Sequence, residues 1–168
     1  MTLSMYQASV PVFLRMMNNL IVILEKGMAH AEARKIEPEV LINARLYPDM
    51  FPMLRQIRIA TDAAMSGVAR LAGMEPPKVE STETTFPELI GRVRKTIDYL
   101  NTFKPAQIDD SESRQITLTL RDGTLTLDGQ TFLLNRVLPN MYFHITTAYD
   151  ILRHNGVELG KKDYIGKF

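Results

Sequence analysis

Nucleophilic and metal chemistry has few residue types to draw on in this chain. Cysteine is absent, which removes thiol nucleophiles, disulfides and thiolate metal sites together. The histidines are His30, His144 and His154, and no H-E-x-x-H, G-x-S-x-G or phosphate-cradling glycine loop accompanies them. His144 is the best placed of the three. Asn140 stands one helical turn before it, so the two side chains project from adjacent turns of one face. That face borders apolar positions at Met141 and Ile145, which puts it at the edge of a core. Two readings follow: a half-buried histidine hydrogen-bonded to a neighbouring helix, or an imidazole that binds a ligand.

Partners for His144 are sought among polar residues flanked by apolar ones. Gln56 and Asp62 meet that description on one predicted helix. Six residues apart, they differ by about 120° around the helix, so at most one should meet His144. Asp62 has a second reading, an ion pair with Arg58 one turn back. Arg45, Tyr47 and Asp49 have two readings, a surface site or, more simply, a chain corner and a helix cap; Arg153-His154 reads as complementation of a helix C-terminus. His30 is expected in solvent beside Glu32 and Arg34.

The elements that must position these residues are mostly helical. Val10, Phe13, Leu14, Met17, Leu20, Ile21, Leu24 and Met28 recur at helical spacing and predict a helix from about Met5 to Arg34. Pro38 opens a short helical turn through Ala44. Pro48 keeps Tyr47 out of helix, and Asp49 is placed to cap a second long helix along Leu54, Ile57, Thr61, Met65, Val68 and Ala72, stopped at Gly73. Thr85 and Glu88 have capping-box spacing before a third helix through Leu89, Val93, Ile97 and Leu100. The period then changes to two. Ile116, Leu118 and Leu120, and after them Leu125 and Leu127, alternate with threonines around Asp122-Gly123, predicting a β-hairpin over about 115–128. A two-residue Asp122-Gly123 turn would pair Leu120 with Leu125 and Leu118 with Leu127, with the apolar face on the helices. A last helix from near Gln130 carries Leu134, Val137, Leu138, Met141, Ile145, Ala148 and Leu152, kinked at Pro139 and ended at Gly156. Residues 157–168 read as an extended arm. The fold class is therefore mainly α, a four-helix bundle with a hairpin inserted before the last helix, in one domain over 1–168.

Composition agrees with a globular chain: 168 residues, 45% apolar and 23% charged, with a net charge of +1. No strong field draws nucleic acid or an anionic membrane, so neither is expected as a partner. The N-terminus lacks a signal core, and the longest apolar run, Leu20 to Leu24, is far short of a span, which favours a cytoplasmic location. Ten methionines and no tryptophan fit a deformable, gap-filled interior or, equally, ordinary core packing.

Several separated strings carry a family resemblance: Arg45-Leu46-Tyr47-Pro48-Asp49-Met50, Glu83-Thr84-Thr85-Phe86-Pro87-Glu88-Leu89, Pro139-Asn140-Met141-Tyr142-Phe143-His144, and Thr147 through Val157. Together they resemble the bacterial domain-of-unknown-function family nineteen-ninety-three, over nearly the whole chain. The resemblance implies a fold similar to the DinB/YfiT-like bundles of up-down-down-up type, often homodimeric. Many members of that wider group are taken for metalloenzymes, some of them thiol transferases. There, a histidine of the second helix and an H-x-x-x-H pair of the fourth bind a divalent metal. Alignment to the closing Gly156-Val157 puts Asn140 and His144 on that pair and Gln56 near the remaining histidine. An amide oxygen is a weak neutral ligand for zinc or nickel, so a metal at His144 is not expected to be held tightly. A harder ion held by Asn140, Asp62 and His144 is the alternative. The resulting expectation is a small-ligand-binding homodimer with a polar pocket around His144, Asn140, Gln56 and Asp62. A divalent-metal-dependent hydrolase or thiol transferase is one rival, and a module acting through its dimer surface is another.

Overall fold

Ser4 opens the first helix of the computed structural model, which describes residues 3–120 and 122–167. Its hydroxyl accepts from the Gln7 N–H while the Gln7 side chain accepts from the Ser4 N–H, so two orphan donors are satisfied. Helix α1 (Met5–Arg34) carries a fully buried stripe of Val10, Phe13, Met17, Leu20 and Leu24. By length and hydropathy alone α1 could cross a membrane, but here that stripe supplies the bundle core. Lys35, in the left-handed region, ends the helix, and α2 (Pro38–Ile42) starts on a proline at its first position.

Asp49 was expected to cap the next helix; instead it lies in a turn, and α3 (Met53–Leu71) begins after Pro52. Pro52 holds Phe51 out of helical conformation, which delays the start. Gly73, at φ 72°, closes α3, with the Met74 N–H on the Ala69 carbonyl. The capping box of Thr85 and Glu88 then starts α4 (Phe86–Asn101), and α5 (Pro105–Ile108) follows.

Side-chain meetings give the helix directions. Arg92 of α4 meets Asp62 of α3, and Arg58 further back on α3 meets Glu83 just before α4, so α3 and α4 run parallel. The 14-residue crossover between them (72–85) returns the chain along the bundle. Glu25 reaches Arg94 and Gly27 abuts Phe86, while Tyr6, at the other end of α1, takes Asp109 beyond the end of α4; these two helices are antiparallel. The last long helix pairs His144 with Gln56 and Val137 with Gly67, antiparallel to α3. The bundle is up-down-down-up.

The hairpin consists of β1 (Gln115–Leu120) and β2 (Gly123–Asp128). Its register differs from the expected one by two residues: Leu118 faces Leu125, Ile116 faces Leu127 and Leu120 faces Gly123. Asp122 lies in the turn, and Arg121 is outside the described residues. Asp128 provides the reason. Its carboxylate accepts from the Thr131 N–H and caps the following helix, so Gly129 is already helical and cannot face Ile116. A two-residue shift keeps the same face apolar, because side chains alternate with period two. Ile116 and Leu118 are buried, but Leu120, at the turn end, is 39% exposed.

The final helix has three parts: α6 (Gly129–Phe132), a π-helical turn (Leu133–Val137) and α7 (Leu138–His154). Pro139, expected to kink the helix, sits just beyond the π-turn, where the ladder is already rearranged and its missing N–H is absorbed. The extra residue of the π-turn changes the phase of the apolar stripe. Leu134, expected in the core, is 45% exposed, and Leu133 is buried in its place.

Residues beyond Gly156 are not an extended arm. Val157 and Leu159 are buried, and α8 (Lys161–Ile165) lies on α1, held by Arg15 on the Ile165 carbonyl, Asn19 on the Tyr164 carbonyl and a Lys26–Asp163 ion pair. Residues 1, 2 and 168, within the expected single-domain range, lie outside the described residues.

Candidate functional site

Helix α3 packs closely on the last long helix because Gly67 removes a side chain opposite Val137 of the π-turn. A Cβ on Gly67 would come within 2.6 Å of Val137 Cγ1. Along the same seam, Gln56 of α3 meets His144 of α7, with Oε1 and Nδ1 2.6 Å apart. Gln56 is almost fully buried and His144 is 9% exposed.

The hydrogen bonds determine the tautomer. Gln56 Nε2 donates to the Phe51 carbonyl at 2.9 Å, and a carbonyl can only accept, so the amide group facing Phe51 must be the NH2. The oxygen then faces His144, and Nδ1 must carry the proton. Burial pushes the His144 pKa below its ordinary value, favouring the neutral ring. In that form Nε2 presents a lone pair. It has no partner among the described residues and is not sealed from solvent. Phe143, 56% exposed, stands edge-on to the imidazole at 5.2 Å.

Of the residues singled out from sequence, the structure brings Gln56 and His144 together. Asn140 is exposed and forms no side-chain hydrogen bond among the described residues. Asp62 meets neither His144 nor Arg58. Its carboxylate pairs with Arg92 Nη2 at 2.5 Å, while Arg58 is taken by Glu83. Asp62 and Asn140 do share a groove of about 310 Å³ between α3, the π-turn and the hairpin, whose lining also includes Ser66, Arg70 and Arg136.

Arg92 was missed in the sequence. Its side chain is 2% exposed and donates to Thr61 Oγ1, the Glu80 carbonyl, Glu83 and Asp62. Arg58 adds bonds to the Glu83 side chain and carbonyl. Burial raises the Glu83 pKa, but hydrogen bonds and charge from Arg92 and Arg58 outweigh it and hold the carboxyl below the usual range. The signal was available: Arg92 falls on the apolar phase of α4, three residues after Leu89 and one before Val93.

An up-down-down-up bundle with a hairpin before the fourth long helix is the DinB-type fold. A crystal structure of a DinB family member protein from Shewanella denitrificans matches with TM-score 0.91 and 44% identity, over 97% of this chain and 92% of that one. The chain belongs to the family described as Domain of unknown function (DUF1993), whose model matches residues 5–165. No curated protein matches it.

Proposed function

We propose that this is a small-ligand-binding DinB-like domain with a degenerate metal site, in which His144 Nε2 accepts a proton or hydrogen bond from the ligand. The supporting observation is the Gln56–His144 hydrogen bond, which assigns the proton to Nδ1 and leaves the Nε2 lone pair without a protein partner. A carbonyl oxygen behind Nδ1 is a common way to orient an imidazole that works through Nε2. The residues present do not fit a tightly held transition metal. Gln56 oxygen is engaged by Nδ1–H, Asn140 offers a neutral amide, and no three His, Asp or Glu residues converge among the described residues. A cytoplasmic homodimer remains part of this reading.

Ligand-observed NMR with a library of small polar fragments, run on the native protein and on His144→Phe, tests it. Fragments that bind the native protein and not the folded variant are expected. Hits that bind both equally would remove His144 from the site. Denaturation with and without zinc, nickel or manganese addresses the metal-dependent hydrolase or transferase. That rival draws on the 44% identity to a DinB family member. It requires a His144-dependent stabilisation by metal; the present reading expects none.

A further inference from the structure

The groove between α3, the π-turn and the hairpin combines two chemistries. Arg70 and Arg136 line it, and neither guanidinium has an ion-pair or hydrogen-bond partner among the described residues. The carboxylate in the same lining, Asp62, is already neutralised by Arg92. Ile59, Leu118, Leu120 and Phe132 supply an apolar wall, and Leu120 keeps substantial exposure there. Unpaired guanidinium groups beside an apolar wall that is exposed mainly at Leu120 suit a molecule that has an anionic head and a short apolar body. Guanidinium forks match the planar or tetrahedral oxygens of carboxylates and phosphates.

We propose that this groove binds a small organic oxyanion, its carboxylate or phosphate held by Arg70 and Arg136 and its apolar part lying against Leu118, Leu120 and Phe132. The proposal shares the α3–α7 seam with the reading above but does not depend on His144. His144 is not among the residues lining the groove, and Arg136 lies eight residues, about 12 Å along the helix axis, before it.

The test is an amide-NMR titration at constant ionic strength with hexanoate, hexyl phosphate, hexanol and hexylammonium. Saturable shifts in residues 118–120 and 132–140 are expected with one or both anions. Hexylammonium should produce none, and hexanol at least tenfold weaker binding. The difference between hexanoate and hexyl phosphate tells which oxyanion the site prefers. The double variant R70Q/R136Q should fold as the native protein does and bind the preferred anion at least tenfold more weakly. Equal binding of the ammonium and the anions, native affinity in R70Q/R136Q, or no saturable shift with either anion would overturn the proposal. His144→Phe should keep binding of the preferred anion. Loss of anion binding with His144-dependent fragment binding intact therefore rejects this inference alone, and the converse result rejects only the earlier reading.

Discussion

Arg92 of α4 donates to Glu83 of the crossover at 2.8 Å from a position that is almost wholly buried, and the same guanidinium also holds Thr61 and Asp62 of α3. One side chain thus ties the returning crossover to both parallel helices. Removing it leaves the Glu83 carboxylate with Arg58 alone and leaves the Glu80 carbonyl without this donor. Arg92→Met should cost about 3 kcal/mol, as for other broken buried pairs. Urea denaturation at neutral pH measures this.

Acid should loosen the same crossover. Because the folded state lowers the Glu83 pKa, its contribution is complete above about pH 5 and is lost as the pH falls through the carboxylate range toward the lowered value. Glu83→Gln should flatten that part of the stability-versus-pH curve. A variant curve parallel to the native one between pH 5 and about pH 3 would contradict it.

His144 works in the same direction, but at higher pH. Its folded pKa lies below the ordinary 6.5, so the unfolded chain takes up a proton first as the pH falls. Stability from the neutral ring is full above that ordinary value and declines below it until the folded pKa is passed, by at most about 1.4 kcal/mol per pH unit. His144→Phe should remove this slope. Gln56→Glu should raise the His144 pKa by placing a carboxylate at Nδ1, and NMR titration of the imidazole carbons reports it directly.

Asp62 supplies a contrast. Its side chain is half exposed and it does not touch His144, so Asp62→Asn should cost under about 1 kcal/mol and leave the His144 titration unmoved. A shifted His144 titration in this variant would mean that Asp62 belongs to the imidazole's surroundings after all.

Gly67→Ala sets two known effects against each other. Alanine is favoured over glycine in a helix by about 1 kcal/mol. Its Cβ, however, would meet Val137 Cγ1 at 2.6 Å, and overpacking costs about 1–3 kcal/mol. Net destabilisation is expected, with recovery in Gly67→Ala/Val137→Ala. A thermal-denaturation cycle over the four proteins gives the coupling.

Periodicity, caps and glycine stops were enough to read the long helices and the existence of the hairpin, because a 3.6-residue or two-residue repeat and a Thr85–Glu88 capping box are local properties of the chain. Local rules failed where a neighbouring element decided. The hairpin register depended on Asp128 being committed to the next helix, and the exposure of Leu134 on one extra residue in the π-turn. The C-terminal segment is helical because α1 offers it a surface, a contact with a sequence separation of about 150 residues.

The candidate site divides in the same way. The sequence by itself determined that His144 sits at the edge of a core stripe, and that Gln56 and Asp62, 120° apart on one helix, could not both reach it. Only the tertiary structure decided that Gln56 is the partner, that Phe51 turns its oxygen toward Nδ1, and that Asp62 goes to Arg92. A helical repeat gives the angle at which a side chain leaves its own axis. Which atom it meets depends on the distance and rotation of the neighbouring helix, and here those are set by Gly67 against Val137 and by the π-turn before Pro139.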